Sequence, residues 1–176
     1  MALTGCNMTE TWHGFRVVGA VEDDTTTKPV EQPPLIKQLQ ELLADAALFY
    51  HSVHEFHWNV SGLDFYEYHK LFDEIVSDVY DSIDPIAENI RKLGGRVKYK
   101  MSELVDIANL QEPAEGGTEA KTLTSELIRL NSKLINTLMN TFNLANKLNQ
   151  QGIANFIAER IDQHQKWEWF LRASVE

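Results

Sequence analysis

Cysteine is nearly absent from this 176-residue chain; Cys6 is the only one. A single thiol excludes an internal disulfide framework and a cysteine-ligated zinc site. Long apolar runs are missing as well. No stretch approaches the roughly 18 consecutive apolar residues of a membrane-crossing helix. The first residues hold no basic segment followed by an apolar one, so no secretory signal is expected and a cytoplasmic location is. Positive charge is scarce, with 16 Lys and Arg against 26 Asp and Glu and a formal net charge of −10. That balance excludes bulk electrostatic binding to nucleic acid or anionic lipid and suits the attraction of cations. What is present is material for a core. Hydrophobic residues make up 43% of the chain and charged residues 24%, a composition that predicts one folded domain.

Residues 1–33 show no sustained period. They hold Gly5, Gly14, Gly19 and a Thr25-Thr26-Thr27 run, and they read as an irregular tail with a short strand near Phe15 to Val18. From Pro34 the pattern becomes helical and stays so to the end, which sets the domain at 34–176. Leu35, Leu39, Leu42, Ala46, Phe49, Val53, Phe56 and Val60 recur in steps of three and four, the apolar stripe of a long first helix. A second stripe, Leu43, Ala47, Tyr50, His54 and His57, runs beside it and predicts burial on two sides. Asp64 with Glu67 reads as a capping box opening a second helix. Its stripe runs from Phe65 through Tyr68, Phe72, Ile75, Val79, Ile83, Ile86 and Ile90 to Leu93, before Gly94-Gly95. Pro85 inside it predicts a kink or a distorted turn. A short helix is expected near Ser102 to Asn109. Thr118 is the expected cap of a third long helix carrying Leu123, Leu127, Leu130, Leu134, Leu138, Thr141, Ala145 and Leu148, which Gly152 is expected to break. A fourth long helix then runs to about Ala173. Two short links make two antiparallel hairpins. The long link between them can cross the whole bundle, so the fold class is all-α, a ferritin-like four-helix bundle with a crossover carrying a short helix.

His57 ends the first helix and His69 begins the second, so the antiparallel hairpin can set them side by side. Asp73 lies one turn past His69; Asp84 and Glu88 share a face further along. Imidazoles with carboxylates suit Fe, Zn or Mn. His69 and Asp84 are separated by about 22 Å at ~1.5 Å per residue, so one chain cannot bring them to one ion. Yet they sit only about 60° apart around the helix axis and face the same way. A two-fold axis near Val76 and Ser77 brings His69 of one copy opposite Asp84 and Glu88 of another, making two shared sites per dimer. A site inside one bundle uses Glu-x-x-His motifs, and the only such pair here is Glu10 to His13, in the tail.

The run His57-Trp58-Asn59-Val60-Ser61-Gly62, followed by Phe65, His69, Phe72-Asp73-Glu74, Asp84, Ala87-Glu88 and Leu93-Gly94-Gly95, resembles the Dps family of mini-ferritins from about residue 35 to 172. The resemblance implies a dodecameric shell of four-helix subunits that oxidises Fe(II), usually with hydrogen peroxide, with dioxygen as the alternative oxidant, and stores ferric mineral inside. It implies that His57, His69 and Asp73 come from one subunit and Asp84 and Glu88 from its two-fold mate, with Trp58 beside the centre. Two positions depart from the family pattern. Asn89 stands where an arginine is common. The turn before the last helix reads Asn149-Gln150-Gln151-Gly152, with Asn155 beyond, where acids often line the iron entry pore.

Other residues have two readings. His54, one turn before His57, is a neighbour that supports the centre or an interface histidine. His164 is an additional metal ligand, which would make zinc a competitor for iron, or a core histidine bonded to a neighbouring helix. The alternative function is a DNA-compacting stress protein with little catalytic role. Family members that coat DNA use lysine-rich tails, whereas residues 1–33 carry Arg16 and Lys28 against Glu10, Glu22, Asp23, Asp24 and Glu31. Nucleic acid is therefore not an expected partner.

Overall fold

Two consecutive prolines set where the bundle starts. In the computed structural model, which describes residues 33–113 and 117–176, Pro34 opens helix α1 (Pro34–Asn59), where a missing N–H costs nothing. The expected irregular tail up to residue 32, with its short strand and Cys6, lies outside the described residues. Helices α2 (Phe65–Lys92), α3 (Met101–Ile107), α4 (Ala120–Lys147) and α5 (Gln151–Ala173) follow. Helices α1 and α2 pair as one hairpin, α4 and α5 as the other, α1 lies against α4, and α3 rests on α1. Among the described residues the only extended pairing is an isolated bridge between Ser61 and Glu119. This is the all-α bundle with a long crossover that the sequence predicts.

Helix α1 is its centre. From Leu42 to Phe49 every residue is buried, because α2, α3 and α4 surround that stretch. Here the first stripe and the start of the second are covered within one chain. Toward the C-terminal end, Tyr50, His54 and His57 remain only half-buried.

Two buried polar side chains of α1 hold the crossover. The Gln40 amide donates to Lys98 O (2.7 Å) and accepts from Lys98 N–H (2.9 Å). Asp45 has no solvent exposure. Its Oδ1 accepts from the N–H groups of Asn109 (2.7 Å) and Leu110 (2.8 Å), just past α3, and its Oδ2 accepts from the Thr137 hydroxyl (2.7 Å) on α4. A buried carboxylate is tolerated only when hydrogen-bonded in this way.

The helix ends depart from expectation in instructive places. Gly94, at φ 83, ends α2 as expected: its N–H donates to Arg91 O and that of Gly95 to Ile90 O, the paired bonds of a left-handed helix stop. A Cβ on Gly95 would come within 2.8 Å of an Ile36 methyl, so α1 and the α2 stop touch through a missing side chain. Helix α4 ends the same way, but at Asn149 (φ 56) rather than at Gly152, which sits inside α5. Asparagine tolerates the left-handed region well enough to serve. The expected Asp64–Glu67 capping box is not formed, since the Asp64 side chain caps nothing. The cap of α4 is Glu119, whose carboxylate accepts from the Thr122 N–H (3.0 Å). Thr118 instead accepts from the N–H (2.9 Å) and hydroxyl (2.7 Å) of Ser61, tying the α1–α2 link to the end of the crossover. Pro85 does not interrupt α2, which runs unbroken through it.

Asp45→Ala is expected to lower unfolding free energy by about 3 kcal/mol or more, because it strands two N–H groups and a hydroxyl in the core. Asp45→Asn keeps one acceptor oxygen and is expected to cost less. Denaturant melts of both variants decide this, and equal losses would contradict it.

Candidate metal centre

His57 lies in the last turn of α1, where helix carbonyls have no partner further along the chain. Its carbonyl accepts from His69 Nδ1 (2.8 Å), and the His69 carbonyl accepts from His57 Nδ1 (3.0 Å). The two rings stack with centroids 3.9 Å apart and planes 20° from parallel. A carbonyl can only accept, so each Nδ1 must carry the proton. In the neutral ring the free lone pair then lies on Nε2, the form in which imidazole binds a metal. The hairpin thus fixes two rings and two tautomers with its own backbone. Phe65 stacks on the His69 ring at 5.0 Å.

A second group lies alongside. The His54 ring lies tilted against Trp58 at 4.0 Å, with Tyr50 at 5.3 Å and His57 at 5.9 Å. Burial, then the neighbouring His57 and His51 imidazoles, hold His54 below the usual imidazole range, while the Asp73 carboxylate pulls the other way. Asp73 itself is exposed, on the turn after His69. Asp84 and Glu88 are exposed further down α2, and among the described residues Glu88 makes only a long contact (4.0 Å) with Lys92. Among the described residues no three His, Cys, Asp or Glu of one chain gather closely enough to hold a metal ion. One chain therefore brings His57 and His69 together with Asp73 nearby and leaves Asp84 and Glu88 apart.

The ferritin-like domain family matches residues 36–176. A DNA protection during starvation protein of Helicobacter pylori is 30% identical over 137 residues, spanning 78% of this chain and 95% of that protein. The chain belongs to the Dps family. A second relative, DNA protection during starvation protein 2 of Bacillus anthracis, is 27% identical over 79% of this chain and 94% of its own length. Among solved structures, Dps of Vibrio cholerae, described as a member of a broad superfamily of ferritin-like diiron-carboxylate proteins, matches at TM-score 0.77 and 27% identity, covering 81% of this chain and 89% of that one.

In this Dps chain the structure does not bring His164 to the histidine pair. It is 2% exposed in the bundle core. Its Nδ1 meets Asn131 Oδ1 (2.7 Å), Asn131 donates back to the His164 carbonyl (2.9 Å), and its ring meets Phe49 edge-on at 5.7 Å. Burial, reinforced by the Arg160 cation and opposed by Asp78, pushes its pKa down to about 3. The third imidazole read as a possible ligand is a hydrogen-bonded core residue, as its position among Ile157, Ile161 and Trp167 allowed.

Beside it lies an ion pair that the sequence did not reveal. Arg160 donates to both oxygens of Asp78 (2.9 and 2.7 Å), and Trp167 Nε1 donates to Oδ2 (2.8 Å). Burial raises the Asp78 pKa, but these donors outweigh it and hold the carboxyl below its usual range. Helices α2 and α5 touch only thinly, so this pair is a main link between them. The one available signal was an acid at 78 beside the buried Val79.

His164 stays neutral in the folded chain while the unfolded chain gains a proton below pH 6.5, so its contribution is complete above pH 6.5 and is lost as pH falls toward about 3. Between pH 6.5 and 5, stability is expected to fall by up to about 1.4 kcal/mol per pH unit. His164→Gln does not titrate and is expected to flatten that slope in urea melts. An unchanged slope would assign the pH dependence to another group.

Proposed function

We propose that this Dps protein oxidises Fe(II) at sites shared between two copies and stores the ferric product inside a hollow, dodecameric homo-oligomer. Hydrogen peroxide or dioxygen serves as the electron acceptor. The family supports iron storage or DNA protection in general; the reading of iron oxidation rests on one observation, the reciprocal His57–His69 pair, whose Nδ1 atoms are both held by backbone carbonyls.

His57, His69 and Asp73 of one copy face Asp84 and Glu88 of a second. Fe(II) is the substrate. The imidazoles supply neutral donors, and the carboxylates supply the negative charge that favours Fe(III) over Fe(II). Two Fe(II) give one electron each, and one hydrogen peroxide takes both with two protons to leave as two waters. Zinc suits the same donors and competes for the site.

The uncovered face agrees with a partner. Trp58 and Tyr80 are 67% and 62% exposed beside the half-buried Tyr50, His54 and His57, more aromatic surface than a lone subunit leaves in water without a use. DNA compaction finds no comparable support. With a net charge of −10, no gel shift of duplex DNA is expected at pH 7 without divalent metal, and a salt-sensitive shift would contradict this.

The decisive experiment mixes two inactive chains, one carrying His57→Ala and His69→Ala, the other Asp84→Ala and Glu88→Ala. Each mixed dimer is expected to regain about one working site, read as Fe(II) oxidation. Verified mixed dimers with no activity would overturn the shared site.

A further inference from the structure

The start of α2 is poorly secured by its own residues. No side chain caps it, and its first hydrogen bonds are long: Phe65 N–H to Gly62 O (3.3 Å) and Tyr68 N–H to Asp64 O (3.2 Å). A helix end in this condition frays. His69 stands in the turn that follows, and His57 faces it from the last turn of α1. Their reciprocal bonds span two helix ends, so the pair keeps its geometry only while both ends hold still.

Tyr68 supplies what the missing cap does not. Its ring is 7% exposed and lies tilted against Phe72, with centroids 6.1 Å apart. Its hydroxyl donates to the Ser174 carbonyl, 106 positions later and just past the end of α5. That acceptor is itself fastened. The Ser174 N–H donates to Phe170 O (3.1 Å) and its hydroxyl to Leu171 O (2.9 Å), and Leu171 is fully buried. The next carbonyl, of Val175, accepts from Lys121 in the first turn of α4 (3.4 Å). Helices α2 and α5 touch only thinly, so apolar packing does little to replace this bond. The other tie near the pair, Ser61 to Thr118, lies in the exposed link, where water competes for it; the Tyr68 bond is partly shielded and correspondingly stronger.

We propose that Tyr68 is a positioning residue for the metal centre: its hydroxyl, held by the Ser174 carbonyl, keeps the first turns of α2 in place so that His57 and His69 hold each other's Nδ1 protons. The packing at this position asks only for an aromatic ring; the hydroxyl is what reaches α5. The consequence for iron rests on the shared site proposed above, whereas the effect on the two rings does not.

Tyr68→Phe removes the hydroxyl and keeps the ring. Solid-state nitrogen NMR of histidine-labelled, metal-free assembled protein at pH 8, where free imidazole is neutral, reads the tautomers. His57 and His69 are expected to be protonated at Nδ1 in the parent protein, and a clear Nε2-protonated population is expected in Tyr68→Phe. Zinc, titrated by calorimetry, is expected to bind about fivefold more weakly to the variant, the scale of one net hydrogen bond. Asp45→Asn, which loosens the bundle away from this hairpin, is expected to leave the tautomers as they are. Unchanged tautomers in Tyr68→Phe, unchanged zinc affinity, or the same tautomer change in Asp45→Asn would each overturn the proposal. The tautomers need no metal, so they judge Tyr68 separately from the mixed-chain test of the shared site.

Discussion

The bundle depends on a single buried carboxylate. A crossover long enough to span four helices has no register of its own, because it carries one short helix and few apolar anchors. Asp45 supplies the missing register by accepting from two consecutive N–H groups where the crossover turns and from a hydroxyl on α4. Gln40, five residues earlier on the same helix, holds the other end at Lys98. The crossover is thus fastened at two points to the most buried helix of the molecule. The same carboxylate ties α4 to α1 through Thr137, alongside the apolar contacts between those two helices. Hydrophobic burial makes the helices adhere and the short links set the two hairpins; these directional contacts fix where the crossover lies against α1.

The candidate centre uses a different economy. Its two histidines sit on either side of a tight helical hairpin and orient each other through backbone carbonyls, so no additional side chain is needed to set the tautomers. Asp73 lies one turn from His69, but Asp84 and Glu88 are on the same helix more than a dozen residues away. Among the described residues one chain gathers no complete metal site; in the proposed function a second copy completes it. Selection of metal and assembly of the particle become one event in the proposed function.

The helical stripes and the His57–His69 adjacency were legible in the sequence because they are short-range: period, hairpin and helix geometry suffice. The buried polar contacts were not. Asp45 sits next to Ala44 and Ala46 and looks like a stray charge in an apolar helix until α3 and α4 are folded around it. Asp78 and Arg160 are 82 positions apart, and nothing in either neighbourhood names the other. The stop of α4 falls three residues before Gly152, where glycine's preference for the left-handed region points; Asn149 takes that role instead. Thr118 favours a helix cap by type, yet its hydroxyl and carbonyl accept from Ser61 in the α1–α2 link, and Glu119 caps α4 instead. For Asp45, Asp78 and Thr118 a tertiary partner overrode the local preference; the stop at Asn149 is a local alternative to glycine.

The mutual bonding of His57 and His69 has a consequence for how the site can change over time. Each ring's proton is fixed by the other residue's carbonyl, and each ring is a face of the same stack. Substituting one ring frees the other to rotate, exchange its tautomer and lose its stacking surface. The pair therefore behaves as one unit of inheritance: the second substitution costs far less than the first, and a lineage that loses either histidine has little reason to keep the other.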